Sequence, residues 1–187
     1  MEAKEKVIEI PNGVSIVYNK NSNEILVKGP KGELKKTFSY DQFDLEVKEG
    51  KLIFKYFIRT KSQKKNAHTI FSIIKNLIKG VTEGYTYKLK VYYKHFPIQV
   101  KVKGNIIEVI NFLGEKAPRV LELDEEELKK YKVQIKVQGD EIILTGIDKE
   151  VLGNIAGRIE QLTKISDRDR RKFQDGIFIV EKAGKAV

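Results

Sequence analysis

The sequence contains no cysteine and only two histidines, His68 and His95, among its 187 residues. Without cysteine there can be no disulfide, thiolate zinc site, iron–sulfur cluster or cysteine nucleophile, and two histidines are too few for a histidine-rich metal site. We therefore expect no metal and no cofactor. Because disulfides are rare in the cytosol, the lack of cysteine fits a cytoplasmic protein.

Long apolar runs are also missing. The longest strictly apolar run, at 177–180, has four residues, whereas a membrane-spanning helix needs about 20. Residues 1–6 include no apolar core of a secretory signal. The sequence thus predicts no membrane association and no secretory signal.

Apolar residues make up 41% of the chain, which is enough for a packed core, and the length allows one large domain or two small ones. The chain has 36 basic and 26 acidic residues, a formal net charge of +10 and a pI near 9.5. Residues 1–93 carry 18 basic and 10 acidic groups, whereas 94–187 carry 18 and 16. Such a balance favours an anionic partner such as nucleic acid.

The first half alternates apolar and polar residues over 7–58, which predicts strands. Turn signals at Gly29-Pro30-Lys31-Gly32 and Gly50-Lys51 separate these runs. An apolar stripe then predicts an amphipathic helix over 66–79, with Asn66 as its N-cap and Gly80 as its C-terminal stop.

The second half repeats this order. Alternation returns between 85 and 144, and a helix is predicted over 149–163 with Asp148 as its N-cap. Offsets of 85 relate Ile70 to Ile155 and Leu77 to Leu162. We therefore predict an α+β fold of two tandem duplicated domains, each a small, mainly antiparallel sheet packed on one principal helix. Residues 1–82 would form the N-terminal domain and 83–187 the C-terminal domain.

Signals of enzymatic chemistry are weak. The turn at 29–32 is flanked by strands and lacks the spacing of a phosphate loop. The acidic cluster at 122–127 lacks the alternating ligand spacing of a cation-binding loop, so it is interpreted as a solvated surface turn. Neither His68 nor His95 has a defined nucleophile beside it, and packing or surface roles are favoured for both. Gly153 and Gly157 lie inside the second predicted helix, where close packing against the sheet is expected to explain them.

Two basic stretches are better candidates for function. The first, 59–65, lies between the last strand of the first half and its helix and is predicted to be a loop. The second, 164–172, holds three of the six arginines and is followed by Phe173. A guanidinium group can bind two phosphate oxygens at once and can stack on a base. Both stretches therefore favour a function in RNA or DNA binding.

Three blocks of sequence carry a resemblance to a known family. They are the region 78–98, with Gly84-Tyr85-Thr86-Tyr87-Lys88 and His95-Phe96-Pro97-Ile98, the run Asn111-Phe112-Leu113-Gly114-Glu115-Lys116, and the run from Arg171-Lys172-Phe173-Gln174-Asp175-Gly176 to Ile179. Together with the turn at 29–32, they make the chain resemble large-subunit ribosomal protein six, in its archaeal and eukaryotic branch. Phe178 departs from the family, where tyrosine is expected.

The resemblance implies two similar α+β domains, no catalytic residues and no small-molecule substrate. It implies binding to large-subunit rRNA near the base of the stalk and the sarcin–ricin loop, beside neighbouring ribosomal proteins and close to where translational GTPases dock. The second domain would make the main RNA contact. Carried over to this chain, that contact falls on Arg171, Lys172, Phe173, Asp175 and Gly176.

The charge pattern adds three further residues to that contact, Lys164, Arg168 and Arg170. Phe173 could stack on a base or anchor the segment. Asp175 and Gly176 are expected to shape the turn into the final strand, with Gly176 permitting an unusual backbone angle. Secondary contacts with RNA or a neighbouring protein are expected from Arg59, Lys61, Lys64 and Lys65. The interpretation is therefore a structural rRNA-binding protein. The alternatives are an enzyme using the sheet surface near His68, and a basic adaptor for acidic proteins.

Overall fold

The computed structural model describes residues 2–40, 43–169 and 171–187. Among them, no helix is both long enough and apolar enough to cross a lipid bilayer. The chain divides into two compact units, a first that ends at Gly84 and a second from Tyr85 to Val187.

Over its described residues, 2–40 and 43–84, the first unit consists of six strands and one long helix. In chain order these are β1 (Glu2–Glu9), β2 (Ser15–Asn19), β3 (Glu24–Gly29), β4 (Gly32–Thr37), β5 (Phe43–Lys48), β6 (Lys51–Ile58) and α1 (Lys61–Thr82). The strands form two antiparallel sheets, with orders β1–β6–β5 and β2–β3–β4. Helix α1 contacts strands of both sheets.

In the described part of the second unit, residues 85–169 and 171–187, there are eight strands, two α-helices and one turn of 3-10 helix. In chain order these are β7 (Tyr85–Tyr92), β8 (Gln99–Lys103), β9 (Ile106–Ile110), the 3-10 turn (Phe112–Gly114), β10 (Arg119–Glu122), α2 (Glu125–Lys130), β11 (Gln134–Gln138), β12 (Glu141–Gly146), α3 (Lys149–Leu162), β13 (Gly176–Lys182) and β14 (Lys185–Ala186). Its sheets have the orders β10–β9–β8 and β11–β12–β7–β13–β14.

The two units share one topology. The order β7–β12–β11 in the second unit repeats β1–β6–β5, and β8–β9–β10 repeats β2–β3–β4. Helix α3 follows β12 as α1 follows β6. The predicted α+β fold with tandem duplication is confirmed, although each unit has two sheets where one was expected. The second unit adds α2, β13 and β14, which have no counterpart in the first.

Helix α1 is longer than predicted at both ends. Its N-cap is Thr60, whose hydroxyl accepts a hydrogen bond from the Gln63 N–H at 3.3 Å, while Gln63 Oε1 accepts from the Thr60 N–H at 3.1 Å. This reciprocal capping box stabilises the first turn. Asn66 as N-cap and Gly80 as stop were therefore wrong predictions, and Gly80 is buried inside the last turns.

Helix α3 begins as predicted. The Asp148 carboxylate accepts hydrogen bonds from the N–H groups of Glu150 at 2.7 Å and Val151 at 3.2 Å, which satisfies donors that the helix itself cannot pair. A Cβ at Gly153 would lie 3.3 Å from the Tyr87 hydroxyl, so close packing explains this glycine. At Gly157 a Cβ would meet no atom within 4 Å, so the packing explanation was wrong there.

Each unit has its own apolar core between helix and sheets. In the first unit the most deeply buried side chains include Ile25, Val27, Leu52, Phe54, Ile74 and Val81. In the second they include Leu89, Ile107, Ile142, Leu144, Leu152, Ile155 and Ile159. Each such side chain contributes about 1.5–3 kcal/mol by leaving water. The cores fix the helix ends and strand ends from which the candidate site is built.

Candidate nucleic-acid interface

The segment between α3 and β13, residues 163–175, carries the second basic stretch. Its two ends are held together at Thr163, which is buried. The Thr163 hydroxyl donates to the Glu160 carbonyl at 3.3 Å and accepts from the Ile177 N–H at 2.8 Å. Glu160 Oε1 also accepts from the Ile179 N–H at 3.1 Å. The segment is therefore an anchored loop, and Ile165, itself buried, packs into the core from within it.

The cations of this loop point to solvent. Lys164, Arg168, Arg171 and Lys172 are exposed, and Arg170 lies outside the described residues. Arg171 is 90% exposed, yet its Nε and Nη2 atoms each lie 3.1 Å from the Asp169 carboxylate. These hydrogen bonds, with one from the Arg171 backbone N–H, lower the pKa of Asp169. Arg171 is thus held in place while its guanidinium stays accessible.

Asp175 lies at the other end of the loop, and its side chain is fully buried. One carboxylate oxygen accepts from the backbone N–H groups of Lys94 at 3.0 Å and His95 at 3.1 Å. The other lies 2.9 Å from His95 Nδ1. Burial alone would raise the pKa of Asp175, but these hydrogen bonds from His95 and Lys94 outweigh it and lower the pKa. The carboxylate therefore joins the loop to the turn after β7.

Phe173 belongs to a stack of three side chains. Its ring lies 4.8 Å from the His95 ring at an interplanar angle of 29°, and the Arg168 guanidinium carbon lies 4.9 Å from its centroid. Phe173 is half-buried. The stack places Arg168 above a fixed aromatic platform, an arrangement that attracts a cation electrostatically.

Gly176 starts β13 with a φ of +156°, a backbone angle that favours glycine. A Cβ there would lie 3.2 Å from the Thr163 hydroxyl and 3.3 Å from the Phe178 ring. Thr163 is buried at the base of the loop, whereas the Phe178 ring is partly exposed. Asp175 and Gly176 thus shape the loop, whereas Lys164, Arg168, Arg171 and Lys172 form its outer surface.

A concave groove of about 480 Å³ lies between the end of α3 and the start of β13. Its walls include Lys164, Phe173, Gln174 and Phe178. Phe178 is 37% exposed, and its ring lies 6.1 Å from that of Tyr92, which is 46% exposed. A cation and two aromatic rings, of which that of Phe178 is exposed, therefore border one depression, a combination that suits an unstacked base.

Arg119 is a residue of this region that sequence reasoning missed. It binds the Glu115 carboxylate through two nitrogens, at 2.6 and 2.8 Å, and donates to the Leu162 carbonyl at 2.8 Å. The hydrogen bonds with Arg119 lower the pKa of Glu115. A cation at the last carbonyls of α3 also complements the helix dipole. Arg119 therefore fixes the end of α3 from which the loop departs.

The turn after β7 was missed as well. Lys94, His95 and Phe96 are exposed on it, and the Asp175 bonds hold it against the loop. The partners lie 80 and 81 residues apart in the chain, so spacing within one stretch could not reveal them. One signal in the sequence could have linked the turn to the loop: both segments belong to the blocks that carry the family resemblance.

The first basic stretch, 59–65, was predicted to be a loop, and this prediction was wrong. Lys61, Lys64 and Lys65 lie in the first turns of α1, and only Arg59 and Thr60 precede the helix. The error arose because the capping box at Thr60 and Gln63 was not recognised in a run of cations. Arg59, Lys61, Lys64 and Lys65 are all exposed.

The other side chains considered for metal binding or catalysis are the acidic cluster at 122–127 and His68, and the structure gives both ordinary structural contacts. The acidic cluster forms the N-terminal end of α2, where Asp124 is the N-cap. His68 lies exposed on α1, with its Nδ1 atom 3.4 Å from Lys6 Nζ and its ring against Tyr56. Over residues 2–40, 43–169 and 171–187, no group of three or more His, Asp or Glu side chains could hold a metal ion.

The stability contribution of Asp175 is expected to depend on pH. Because its folded pKa is lowered, this contribution is complete above the unfolded value of about 3.9 and is lost as pH falls through the folded pKa. The free energy of unfolding of the wild type should therefore converge towards that of Asp175→Asn below about pH 4. Urea unfolding of both proteins between pH 3 and 7 measures this. A difference that stays constant over that range would contradict it.

Comparison with known proteins agrees with this architecture. The family model described as Ribosomal protein L6 matches residues 10–84 and again 96–176, one segment in each unit. The repeated match fits a tandem duplication.

Three archaeal relatives each have the name "Large ribosomal subunit protein uL6". The protein from Methanosarcina mazei is 44% identical over 178 residues, which cover 95% of this chain and 97% of the relative. The protein from Methanococcus vannielii is 42% identical over 180 residues, which cover 96% of this chain and 94% of the relative. The protein from Methanospirillum hungatei is 43% identical over 183 residues, which cover 96% of this chain and 97% of the relative. The chain therefore belongs to the ribosomal protein L6 family, in its archaeal type.

Proposed function

We propose that this protein is a structural constituent of the large ribosomal subunit and binds large-subunit rRNA chiefly through its C-terminal domain, residues 83–187. Membership of the L6 family makes it a ribosomal protein and not an enzyme, which removes the alternative near His68. As a ribosomal protein it works on cytoplasmic ribosomes. The names of the archaeal relatives support assignment to the large subunit.

The observation that carries the RNA contact is the anchored basic loop. Lys164, Arg168, Arg171 and Lys172 project from a segment whose ends are fixed by Thr163 and Asp175. A fixed loop loses little conformational entropy on binding, so its cations engage phosphates at low cost. Guanidinium groups can each take two phosphate oxygens. The loop thus presents a preformed surface for rRNA.

The residues within the proposed contact divide into two roles. Arg168, Arg171 and Lys172 bind phosphates and sugars, with Lys164 at the groove beside them. Phe173 serves mainly as an anchor, because its ring already contacts His95 and Arg168. Asp175 and Gly176 act by shaping the loop. Arg170, predicted from sequence to join this contact, keeps that role as part of the proposal.

The finer placement follows from the family resemblance. We place the contact near the stalk base and the sarcin–ricin loop, beside neighbouring ribosomal proteins and close to the docking site of translational GTPases. In this proposal the protein carries no catalytic group. Its cations offset the repulsion between phosphates where RNA helices meet. Secondary contacts come from Arg59, Lys61, Lys64 and Lys65 in the first unit.

Replacing Arg168, Arg171 and Lys172 together by glutamine should weaken binding to a large-subunit rRNA fragment. Each phosphate contact contributes roughly −0.7 to −0.9 to the slope of log affinity against log salt concentration, so losing three should flatten the slope by about 2. The melting temperature should change little, since exposed charges contribute little to folding. Salt titration of binding, followed by fluorescence anisotropy, measures the slope.

The matched control removes three cations from elsewhere in the same unit. Lys129, Lys130 and Lys136 are exposed and lie on α2 and β11, so their replacement by glutamine changes the net charge equally. The control should keep most of the wild-type slope. An unchanged slope in the loop variant, with RNA still bound, would show that the contact lies on another segment.

A further inference from the structure

Helix α1 carries five lysines, one histidine and no acidic residue over its 22 residues. Helix α3, its counterpart, carries two basic and two acidic residues. The first unit therefore has a strongly basic helix that the duplicated topology does not require.

The cations of α1 lie on one face. At 3.6 residues per turn, Lys61, Lys64, Lys65, His68 and Lys75 fall within an arc of about 100°. The buried residues of the helix, Ala67, Ile70, Ile74, Leu77, Ile78 and Val81, point to the opposite side. From Lys61 to Lys75 the face extends about 21 Å along the axis.

Strand β1 widens this face. Lys6 pairs with Phe54 in the sheet, on the side that faces the helix. Its Nζ atom lies 3.4 Å from His68 Nδ1 and 4.6 Å from the centroid of the Phe71 ring. Lys75 Nζ lies 5.3 Å from the same centroid. We call the surface formed by Lys6, Lys61, Lys64, Lys65, His68 and Lys75 the α1 basic surface.

Four of the five lysines of α1 differ from other lysines of the same unit in their partners. Among the described residues, no carboxylate lies within 4 Å of the Nζ atoms of Lys61, Lys64, Lys65 or Lys75. Lysines on the sheets and loops do have such partners, and these ion pairs are Lys20–Asp44, Lys28–Glu33, Lys35–Glu24, Lys48–Glu46 and Lys55–Glu46. Lys79 on the same helix pairs with Glu83 at 3.7 Å. Over the described residues of the unit, the charges of the other four lysines have no carboxylate beside them.

We propose that the α1 basic surface is a second RNA-binding site, which contacts the phosphates of a double-stranded RNA helix without reading its sequence. The inference rests on the proposed function and deepens it, because it commits the secondary contacts of Lys61, Lys64 and Lys65 to the phosphates of an RNA duplex and extends them to Lys6, His68 and Lys75. It assigns a distinct helix face, on the first unit, to an RNA helix separate from the one bound by the loop at 164–172.

The composition of the surface favours RNA over an acidic protein. Lysine is depleted at protein–protein interfaces, where arginine and aromatic residues are enriched. Lysine is also a strongly hydrated point charge that suits phosphate oxygens. Duplex RNA is recognised mostly through its phosphates and sugars, because its deep major groove excludes side chains. A row of lysines with no arginine suits such a sequence-independent contact.

Two separate sites on one chain would raise the overall affinity. When both bind one folded RNA, the second contact is intramolecular, and avidity can exceed either single affinity by about 10²–10⁴-fold. Each unit would then hold its own RNA helix, and the protein would fasten two helices to each other.

The test uses the full chain and a blunt RNA duplex of about 20 base pairs with arbitrary sequence. Glutamine at Lys61, Lys64, Lys65 and Lys75 keeps a good helix former at each position. If all four contact phosphates, the salt slope for duplex binding should flatten by about 3. Arginine at the same four positions keeps the charge and should retain the wild-type slope. Circular dichroism of both variants verifies that α1 is intact.

The controls separate this inference from the proposed function. A variant with Lys101, Lys129, Lys130 and Lys136 changed to glutamine has the same net charge and should keep most of the slope. An α1 glutamine variant that binds the duplex with the wild-type slope would overturn the inference, and so would an equal loss in this control. Wild-type binding to polyglutamate as tight as to the duplex, lost in the α1 variant, would assign the surface to an acidic protein instead. The rRNA-fragment titration of the loop variant reports on the proposed function by itself.

Discussion

Replacing Asp175 with alanine is expected to destabilise the second unit by about 3 kcal/mol and to weaken RNA binding, although the carboxylate itself is buried. The change removes three hydrogen-bonded contacts, two from the N–H groups of Lys94 and His95 and one with the His95 ring. Hydrogen bonds to a charged group contribute about 1.5–3 kcal/mol, and unpaired buried donors add a penalty. The contacts share one carboxylate, so their sum is smaller than three separate bonds.

RNA binding should weaken because the same carboxylate positions the loop. Without it, the turn after β7 separates from the loop, and His95 no longer holds the Phe173 ring. Arg168 then loses the platform under its guanidinium. Asp175→Asn keeps an amide oxygen that can accept from the backbone N–H groups, so its loss of stability should be about half as large.

The measurement is hydrogen exchange at the amides of β7 and β13, which reports on the second unit separately from the first. Asp167→Ala is the matched control, because Asp167 is exposed on the same loop and its carboxylate accepts a hydrogen bond from the neighbouring Ser166 hydroxyl at 3.3 Å. Its effect should stay below about 0.5 kcal/mol. Asp175→Ala with wild-type exchange protection and wild-type RNA affinity would refute this account of the loop.

Much of the fold could be predicted because its signals are local. Alternation of apolar residues identified the strands, and the stripe around Ile155 with Asp148 as N-cap identified α3. The start of α1 was missed for a physical reason as well. Charged residues at 61–65 were interpreted as a loop, whereas lysine is a good helix former and the Thr60–Gln63 box supplies the cap.

For the candidate site, the sequence alone identified the exposed cations of the loop. Cations are visible in the sequence as such, so Arg168, Arg171 and Lys172 could be selected directly. Asp175 was selected through the family resemblance, but its partner His95 lies 80 residues away and could not be assigned to it. Arg119, which meets Leu162 across 43 residues, was missed altogether. An aspartate has the same one-letter code in the sequence whether it is buried or exposed, so only the fold shows that Asp175 is buried.

The duplication explains where such a site could arise. The first unit ends with its helix, whereas in the second unit the chain continues past α3 into β13 and β14. Strand β13 pairs with β7, so the connecting loop must cross the end of α3. The extra strand thus creates the loop that carries the cations. Among the described residues, the equivalent edge of the first unit has no such addition, and a cluster of its lysines lies at the start of α1 instead.

Replacing Gly29 with alanine is expected to destabilise the first unit by about 3 kcal/mol. Gly29 ends β3, and a Cβ there would lie 2.7 Å from Val81 Cγ2 and 2.8 Å from the Val81 carbonyl oxygen. A side chain could rotate away, but the carbonyl oxygen belongs to the backbone of α1. The hairpin would have to move off the helix, and overpacking of this kind costs about 1–3 kcal/mol.

The same movement would break a further contact. The Lys31 N–H donates to the Val81 carbonyl at 2.9 Å, and this hydrogen bond holds the β3–β4 turn on the last turns of α1. Its loss adds about 0.5–1.5 kcal/mol. Hydrogen exchange at the amides of β3 and α1 measures the total. Gly157→Ala is the matched control, because a Cβ there meets nothing within 4 Å and α3 should gain about 0.5–1 kcal/mol from the better helix former. A Gly29→Ala variant with wild-type exchange protection in β3 and α1 would show that the contact with Val81 does not require glycine at this position.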